Sequence, residues 1–259
     1  MGIPYAEGMP SPETLAILAA ILSLGIFVQA SAGFAAGLLI VPALLWSGEQ
    51  IPEAQTALLV ATIPQNISGV WSFRDQITVR EVAFPGMLRL LALPVGIAML
   101  HNLETLEPIR LRQIVGAVVL AVTLAIIIFQ PRPRESLHPV WAWLAFLLSG
   151  FLQGLVGMGG PAMVLWVQAH DWGTRKTRGF LFTMYLISIV PALAVLFYFF
   201  GQRIVIAGVG AALLIPWLWL VARAGLRVGT WLGRERLRRV TLGLLLLMGI
   251  AGLAAPLLE

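Results

Sequence analysis

The chain has 259 residues, of which 59% are hydrophobic and only 11% are charged, and it contains no cysteine. A soluble domain carries about 25% charged residues, so this composition indicates a helical membrane protein. The absence of cysteine excludes disulfides, thiolate metal sites and cysteine nucleophiles. The net charge of +5 does not indicate nucleic-acid binding, because the basic residues lie in short segments between apolar runs, where they set membrane topology.

Two long apolar segments, residues 14–46 and 140–169, each contain a polar, glycine-rich break in the middle. A bilayer core about 30 Å thick needs about 20 helical residues, so each segment is too long for one straight crossing. We predict two half-helices in each segment that meet inside the membrane, where irregular backbone survives only if it is buried in protein or lines a cavity. Paired interrupted segments of this kind are typical of transporter binding sites.

The two broken segments are related by an internal repeat. A shift of 124 positions superimposes Gln29 on Gln153 and Gly33 on Gly157, and the order of the following elements repeats as well. After its broken segment each repeat has three predicted spans, near 54–73, 82–100 and 111–129 in residues 1–130, and near 179–200, 204–221 and 240–258 in residues 139–259. Residues 131–138, rich in proline and charge, form the predicted cytoplasmic linker. We therefore predict an all-α polytopic membrane protein of two repeats.

The positions of arginine and lysine favour one of two topologies. If each broken segment crosses the membrane completely, eleven basic residues lie in cytoplasmic loops and five lie outside. If each is a re-entrant hairpin that returns to its starting side, thirteen lie inside and three outside. The hairpin arrangement fits the positive-inside rule better, and its three full crossings per half make the repeats inverted. Both arrangements put the two termini outside, and both place Arg223 and Arg227 in a cytoplasmic loop.

Arg89 lies in the middle of a predicted span. A charge at that depth costs at least about 2.5–3.5 kcal/mol on insertion scales, and such residues normally face the protein interior or a water-filled cavity. Arg89 is therefore the candidate counter-charge for an anion. The alternative is a packing role, with the guanidinium bonded to carbonyls freed at Pro85 or Pro94. All twelve acidic residues lie in or next to loops or at the chain ends, which argues against cation carriage and leaves the energy coupling unassigned.

The breaks supply further candidate ligands for an anion. A half-helix that starts inside the membrane presents free backbone N–H groups and a partial positive charge, and glycine lets that backbone approach a ligand closely. The alternative is that these glycines only permit close helix packing. The predicted substrate-binding residues are Arg89, Gln29, Ser31, Gly33, Gln65, Asn66, Gln153, Gly157, Gly159 and Gly160.

The remaining polar residues are not predicted to bind the substrate. Thr183, Tyr185 and Ser188 lie in the repeat partner of the second span, where single hydroxyls usually make interhelical hydrogen bonds. The three histidines lie in or beside loops without ligand spacing, so we predict neither a metal nor a cofactor. An enzyme is disfavoured because no cysteine, histidine or carboxylate lies in mid-span to act as nucleophile or base.

The two copies, their Gln-x3-Gly breaks and the Leu-Arg-Gln or Leu-Arg-Arg sequence before the last span of each half resemble the sulfite exporter TauE/SafE family of membrane permeases. The resemblance covers essentially the whole chain. It implies transport of small sulfur-containing anions, such as sulfite, sulfonates or sulfonated carboxylic acids, across the inner membrane of a bacterium. Residues 33–37, Gly-Phe-Ala-Ala-Gly, are less rich in glycine than the usual family pattern.

These observations predict a secondary transporter that works by alternating access between two inverted repeats. We expect the tips of both broken segments to meet near the bilayer midplane and form one anion site. An anion channel, or a membrane subunit of a larger complex, is the alternative function. The predicted partners are a small anionic substrate and the lipid bilayer, without nucleic acid, and a homodimer stays open.

Overall fold

The computed structural model describes residues 12–32, 35–129, 133–232 and 234–254, and these residues form eleven α-helices. The helices are α1 (Pro12–Ala32), α2 (Ala36–Trp46), α3 (Ile51–Phe73), α4 (Val79–Leu103), α5 (Pro108–Ile128), α6 (Pro139–Val156), α7 (Gly160–Gln168), α8 (Thr174–Phe200), α9 (Gln202–Leu213), α10 (Ile215–Leu232) and α11 (Arg234–Leu253). A short 3-10 helix follows α3. The described residues contain no β-strand, only an isolated bridge between Arg134 and His170.

In the described part of the chain five helices are long and apolar enough to cross a membrane, namely α1, α4, α5, α6 and α8. A sixth span results if α9 and α10, which meet at an angle of 59°, count as one bent crossing. Many large apolar side chains on these helices are exposed, as expected of surfaces that face lipid rather than water. The predicted class, an all-α polytopic membrane protein, is confirmed.

Both broken segments are interrupted where the sequence predicts, but they are divided unequally. The helix before each break has 21 residues in α1 and 18 in α6, long enough to cross the membrane alone. The helix after each break is short, with 11 residues in α2 and 9 in α7. The two helices of each segment are therefore unequal in length, because the break lies past the centre of the segment.

The helices of the two halves follow one another in the same order and pack in the same way. α4 packs against α6 as α10 packs against α1, and α3 packs against α9 as α8 packs against α4. Two further pairs join counterparts directly, α3 with α8 and α5 with α11.

The predicted span near 54–73 is a helix, α3, but it is not among the helices apolar enough to face lipid. Its buried side chains include many polar ones: Glu53, Gln55, Thr56, Thr62, Gln65 and Asn66. Packing against α2, α8 and α9 covers most of this helix up to Asn66, whereas Ile67 and Trp71 nearer its end are exposed. Polar groups are tolerated at membrane depth in such a position because protein, not lipid, solvates them.

The structure corrects the predicted loop before the last helix. The predicted span 204–221 is formed by α9 and α10 together, and α10 continues to Leu232, so Arg223 and Arg227 lie on a helix rather than in a loop. Both side chains are exposed, and the guanidinium of Arg223 lies 3.4 Å above the ring of Trp219, so that the long arginine stems can lie along a helix with their charges at its surface. Of the predicted linker, residues 133–138 are described. Arg134 in this linker exchanges backbone hydrogen bonds with Ala169 and Asp171.

Candidate anion-binding site

A cavity of about 50 Å³ lies where the short helices α2 and α7 begin, between α3, α4 and α8. Six of the ten predicted site residues line it: Gln29, Asn66, Arg89, Gln153, Gly157 and Gly160. The cavity wall thus combines residues from both halves of the chain. Most of the predicted site residues therefore lie around one cavity.

Among the described residues Arg89 is the largest fully buried side chain, with 1% of its surface exposed. Its Nε donates to the hydroxyl of Ser188 at 2.7 Å, and its Nη2 donates to Oε1 of Gln153 at 3.3 Å. Nη1 donates to the hydroxyl of Ser149, and lies 3.4 Å from the carbonyl oxygen of Gly159 and 3.3 Å from the sulfur of Met163. These contacts fix the guanidinium at the edge of the cavity.

The charge of Arg89 has no counter-ion among the described residues. All five of its acceptors are neutral, and none of the ion pairs in the described part of the chain includes it. Hydrogen bonds to neutral groups satisfy the N–H donors but leave a full positive charge in a site shielded from water. Burial of an unpaired charge costs several kcal/mol, which a bound anion would offset. The site therefore favours an anionic ligand over a neutral or cationic one.

Close packing of α4 on α6 sets the position of Arg89. A Cβ atom at Gly150 would overlap the carbonyl oxygen of Arg89, and one at Gly154 would overlap that of Leu93. These glycines, spaced four apart on one face of α6, let the two backbones touch. The close approach brings Ser149 and Gln153, on the same helix, within reach of the guanidinium.

The two breaks contact each other, as the sequence predicts. A Cβ atom at Gly37, in the first turn of α2, would overlap the carbonyl oxygen of Gly157 in the second break. Gly157 ends α6 with a φ of 70°, which favours glycine, and a Cβ there would lie 2.9 Å from the side chain of Gln55. The first residues of α2 and of α7 both line the cavity, so the positive ends of two short helices face it.

Gly159 and Gly160 hold the site in different ways. Gly159 does not line the cavity; its N–H donates to Oε1 of Gln153 at 3.3 Å, and its carbonyl oxygen accepts from Ser149 at 2.5 Å. Gly159 thus positions the groups that bind Arg89. Gly160 lines the cavity and lies so close to Tyr185 that a Cβ would be 2.7 Å from the tyrosine oxygen.

Two further predicted site residues, Ser31 and Gln65, are not part of the cavity wall either. The hydroxyl of Ser31 donates to the carbonyl of Phe27 at 2.6 Å, within its own helix. Gln65 is buried, with 7% of its surface exposed, and neither atom of its amide has a hydrogen-bond partner in the described structure. Gly33 lies outside the described residues.

The sequence analysis missed three contributors to the site. Tyr185 and Ser188 of α8 line the cavity, although the sequence placed them with ordinary interhelical hydrogen bonds. Ser188 does make such a bond, to Arg89, whereas no hydrogen bond to the Tyr185 hydroxyl is found among the described residues. Ser149 was also missed. Its spacing of four residues before Gln153 places both on one helix face, and this is the signal that could have identified it.

Comparison with known protein families gives a match over nearly the whole chain. A model of the sulfite exporter TauE/SafE family matches residues 17–252, nearly the whole chain. The chain belongs to the TauE/SafE family. Membership confirms the resemblance seen in the sequence and makes the protein a multi-pass membrane transporter. Searches of curated proteins and of solved structures returned no match.

The described residues of this TauE/SafE protein contain no group of three or more histidine, aspartate or glutamate side chains placed to hold a metal ion. The groups that converge on the cavity are a guanidinium, amides, hydroxyls and backbone N–H groups instead. Most of these are hydrogen-bond donors, which suit the oxygens of an anion.

Proposed function

We propose that this TauE/SafE protein is a secondary transporter that carries a small sulfur-containing oxyanion, bound at Arg89. The observation that supports the proposal is the buried guanidinium, which lines a cavity and contacts only neutral acceptors. A volume of about 50 Å³ would hold about three or four waters, and hence an oxyanion of similar heavy-atom number such as sulfite or a short sulfonate. A bound anion would supply the negative charge that balances Arg89, which no carboxylate among the described residues provides.

The other cavity residues are assigned by their chemistry. The starts of α2 and α7 present backbone N–H groups to the anion oxygens, and the hydroxyl of Tyr185 offers a further donor. Gln29, Asn66 and Gln153 orient the ligand through their amides. A buried amide without partners is costly, so we propose that Gln65 reaches a ligand in another state of the transport cycle.

Alternating access fits the way in which the halves pack. The cavity lies between α3 of one half and α8 of the other, and these two helices are counterparts that contact each other. We propose that the halves are inverted repeats that rock about this site. The positive-inside rule then puts both termini outside, and the family resemblance places the protein in the inner membrane of a bacterium.

The test titrates the purified protein in detergent with sulfite, methanesulfonate, sulfate or acetate. Binding is measured as a rise in the melting temperature of the protein. A ligand that binds only the folded state raises the melting temperature with its concentration. In Arg89→Ala the affinity for the preferred anion should fall by about 30-fold to several thousand-fold, since truncation of a buried charge partner costs about 2–5 kcal/mol. Arg89→Lys keeps the charge without the planar fork and should bind with intermediate affinity.

Tyr185→Phe provides a milder variant that keeps the ring packing. Loss of one hydroxyl donor should weaken binding by about threefold to tenfold, in line with about 0.5–1.5 kcal/mol for a hydrogen bond. Unchanged binding in both Arg89 variants would contradict the proposed role of the guanidinium. Ion currents without saturable binding would favour the alternative of an anion channel.

A further inference from the structure

A second charged cluster lies away from the cavity, where the starts of α3 and α9 meet the end of α4. Nε of Arg203 lies 3.4 Å from Oε1 of Glu53, and its Nη2 lies 3.0 Å from both carboxylate oxygens of Glu104. Its Nη1 donates to the neutral side chain of Gln50 at 2.7 Å. Two carboxylates therefore share one guanidinium, and these three charged groups together carry a net charge of −1.

Glu53 is the unusual member of this cluster because it is buried, with 5% of its surface exposed. One of its oxygens contacts Arg203, but the other, Oε2, is buried and has no hydrogen-bond partner among the described residues. A buried carboxylate oxygen without a donor destabilises the ionised form of the group. Glu104 adds a like charge nearby, and Glu49, just before α3, is also buried. His101, on the last turn of α4, contacts the rings of Phe199 and Phe200 instead.

The counterpart of this cluster at the other end of the molecule is electrically different. The contact of α3 with α9 corresponds to that of α8 with α4, and there Lys176 at the start of α8 pairs with Glu81 at the start of α4. The pair is balanced, one acid with one base, and both side chains are about one-third exposed. Because Phe73 at the end of α3 packs on Gly179 near the start of α8, Glu53 and Lys176 lie at opposite ends. The cavity lies between the two ion pairs.

We propose that Glu53 is a proton-binding site, so that this carrier moves its anion together with a proton. The inference rests on the function proposed above. A proton bound to Oε2 converts the carboxylate into a neutral acid and brings the net charge of the cluster from −1 to zero. It also weakens the attraction between Glu53 and Arg203, which joins α3 of one half to α9 of the other.

The anion and the proton then have matching effects on the protein. An anion in the cavity neutralises Arg89, and a proton on Glu53 neutralises the excess negative charge of the cluster. The fully loaded carrier has no unbalanced charge at either place, so moving it between two conformations requires less desolvation of charge than moving a half-loaded one. This coupling would make net transport of one anionic charge electrically neutral.

The test uses the full chain in lipid vesicles that contain a trapped pH-sensitive dye, with methanesulfonate as the probe. Methanesulfonate stays a monoanion across the neutral range, so any proton that enters with it has been carried by the protein. An inward gradient of the probe should acidify the vesicles in the wild type, with equal numbers of protons and anions moved. In Glu53→Gln the ratio of protons to anions should fall to zero.

Glu81→Gln is the matched control, since it removes a carboxylate from the counterpart ion pair and should keep the wild-type ratio. Glu104→Gln is a second variant. It makes Glu53 the one carboxylate paired with Arg203 in this cluster, and it removes a negative charge near Glu53. It should retain coupling but require more acidic conditions for half-maximal transport, because loss of a nearby negative charge favours the ionised form of Glu53. A wild-type ratio in Glu53→Gln, or equal loss of coupling in Glu81→Gln, would overturn the proposal.

Two further measurements separate failure of this inference from failure of the proposed function. Exchange of labelled methanesulfonate across vesicles loaded with the same anion needs no net proton movement, so its absence in the wild type would count against the anion carrier itself. Proton binding is followed without any anion, by infrared pH titration of the carbonyl stretch of a protonated carboxylic acid. A band present in the wild type and missing in Glu53→Gln supports the site, and a band unchanged in the variant overturns it.

Discussion

In the second half of the chain the residue just before the short helix is Gly159, and the equivalent residue in the first half is Ala35. Ala35 lines the cavity and has a left-handed backbone conformation, with a φ of 89°. Gly159 has an ordinary φ of −73° and lies against the guanidinium of Arg89. The glycine is required in the second break because of what surrounds it, whereas the first break accepts a methyl group despite the strain of its backbone.

The fourth helices of the two halves differ in the same sense. α4 runs unbroken through Pro85 and Pro94 and carries the buried Arg89, whereas its counterpart is divided into α9 and α10 with a bend of 59°. Arg89 lies in α4, and no described residue of α9 or α10 lines the cavity. The two halves thus share a helix order and packing but contribute different residues to the proposed site.

The largest effect is expected where α4 and α6 touch. In Gly150→Ala the new methyl would overlap the carbonyl oxygen of Arg89, a backbone atom that cannot rotate away. Overpacking of this kind typically costs about 1–3 kcal/mol, so the melting temperature in detergent should fall clearly. Gly208→Ala in α9 is the control, since its nearest contacts, side chains of Thr56 and Val60, lie 3.7 and 3.9 Å away. Equal melting temperatures of the two variants would refute the claim that α4 and α6 pack more closely than α3 and α9.

A smaller effect, on both stability and binding, is expected at the second break. In Gly159→Ala the methyl would lie 2.5 Å from the backbone carbonyl oxygen of Ser149 and 2.7 Å from Nη1 of Arg89, and should displace the guanidinium. A misplaced charge of this kind should weaken anion affinity by about tenfold, or about 1.4 kcal/mol, measured by titration calorimetry. Gly173→Ala, which has no atom within 4 Å of the new methyl, is the matched control and should bind as the wild type does. Similar affinities for both variants would show that Gly159 does not position Arg89.

The smallest effect is expected at the first break. Ala35→Gly relieves the left-handed strain of a non-glycine residue, about 1–2 kcal/mol, but removes a buried methyl group worth about 0.8 kcal/mol. The free energy of unfolding should therefore change by no more than about 1 kcal/mol, and anion affinity should stay the same. A loss of affinity in this variant as large as that of Gly159→Ala would mean that the residues before α2 and before α7 contribute equally to anion binding.

The sequence predicts the parts of this structure that depend on composition and spacing. Low charge content identifies the membrane class, the glycine-rich breaks locate the interruptions, and the position of Arg89 within an apolar run predicts its burial. Neighbouring residues are harder to separate. Asn66 lines the cavity and Gln65 does not, because adjacent helical residues point about 100° apart and the sequence does not define which face of α3 meets the site.

Contacts between distant segments are the other part that the sequence does not predict. The reach of Ser149 to Arg89 depends on how closely α4 approaches α6, which is a property of two surfaces and not of either stretch alone. The role of Gly159 depends on the direction of its carbonyl oxygen. Nothing in the sequence distinguishes Tyr185 from other tyrosines of membrane helices, and its role becomes visible only from its contact with Gly160. Tertiary packing, rather than local propensity, makes these residues part of the site.

The polar character of α3 has a consequence for how the protein is made. A segment with Glu53, Gln55, Gln65 and Asn66 on buried faces does not partition into lipid alone, because each polar side chain opposes insertion. Its protein neighbours include α8 and α9, which are synthesised more than one hundred residues later. We therefore expect α3 to remain at the translocon or between earlier helices until the second half has been synthesised. On this argument the first half does not fold stably by itself, and the protein completes its fold only when the whole chain has entered the membrane.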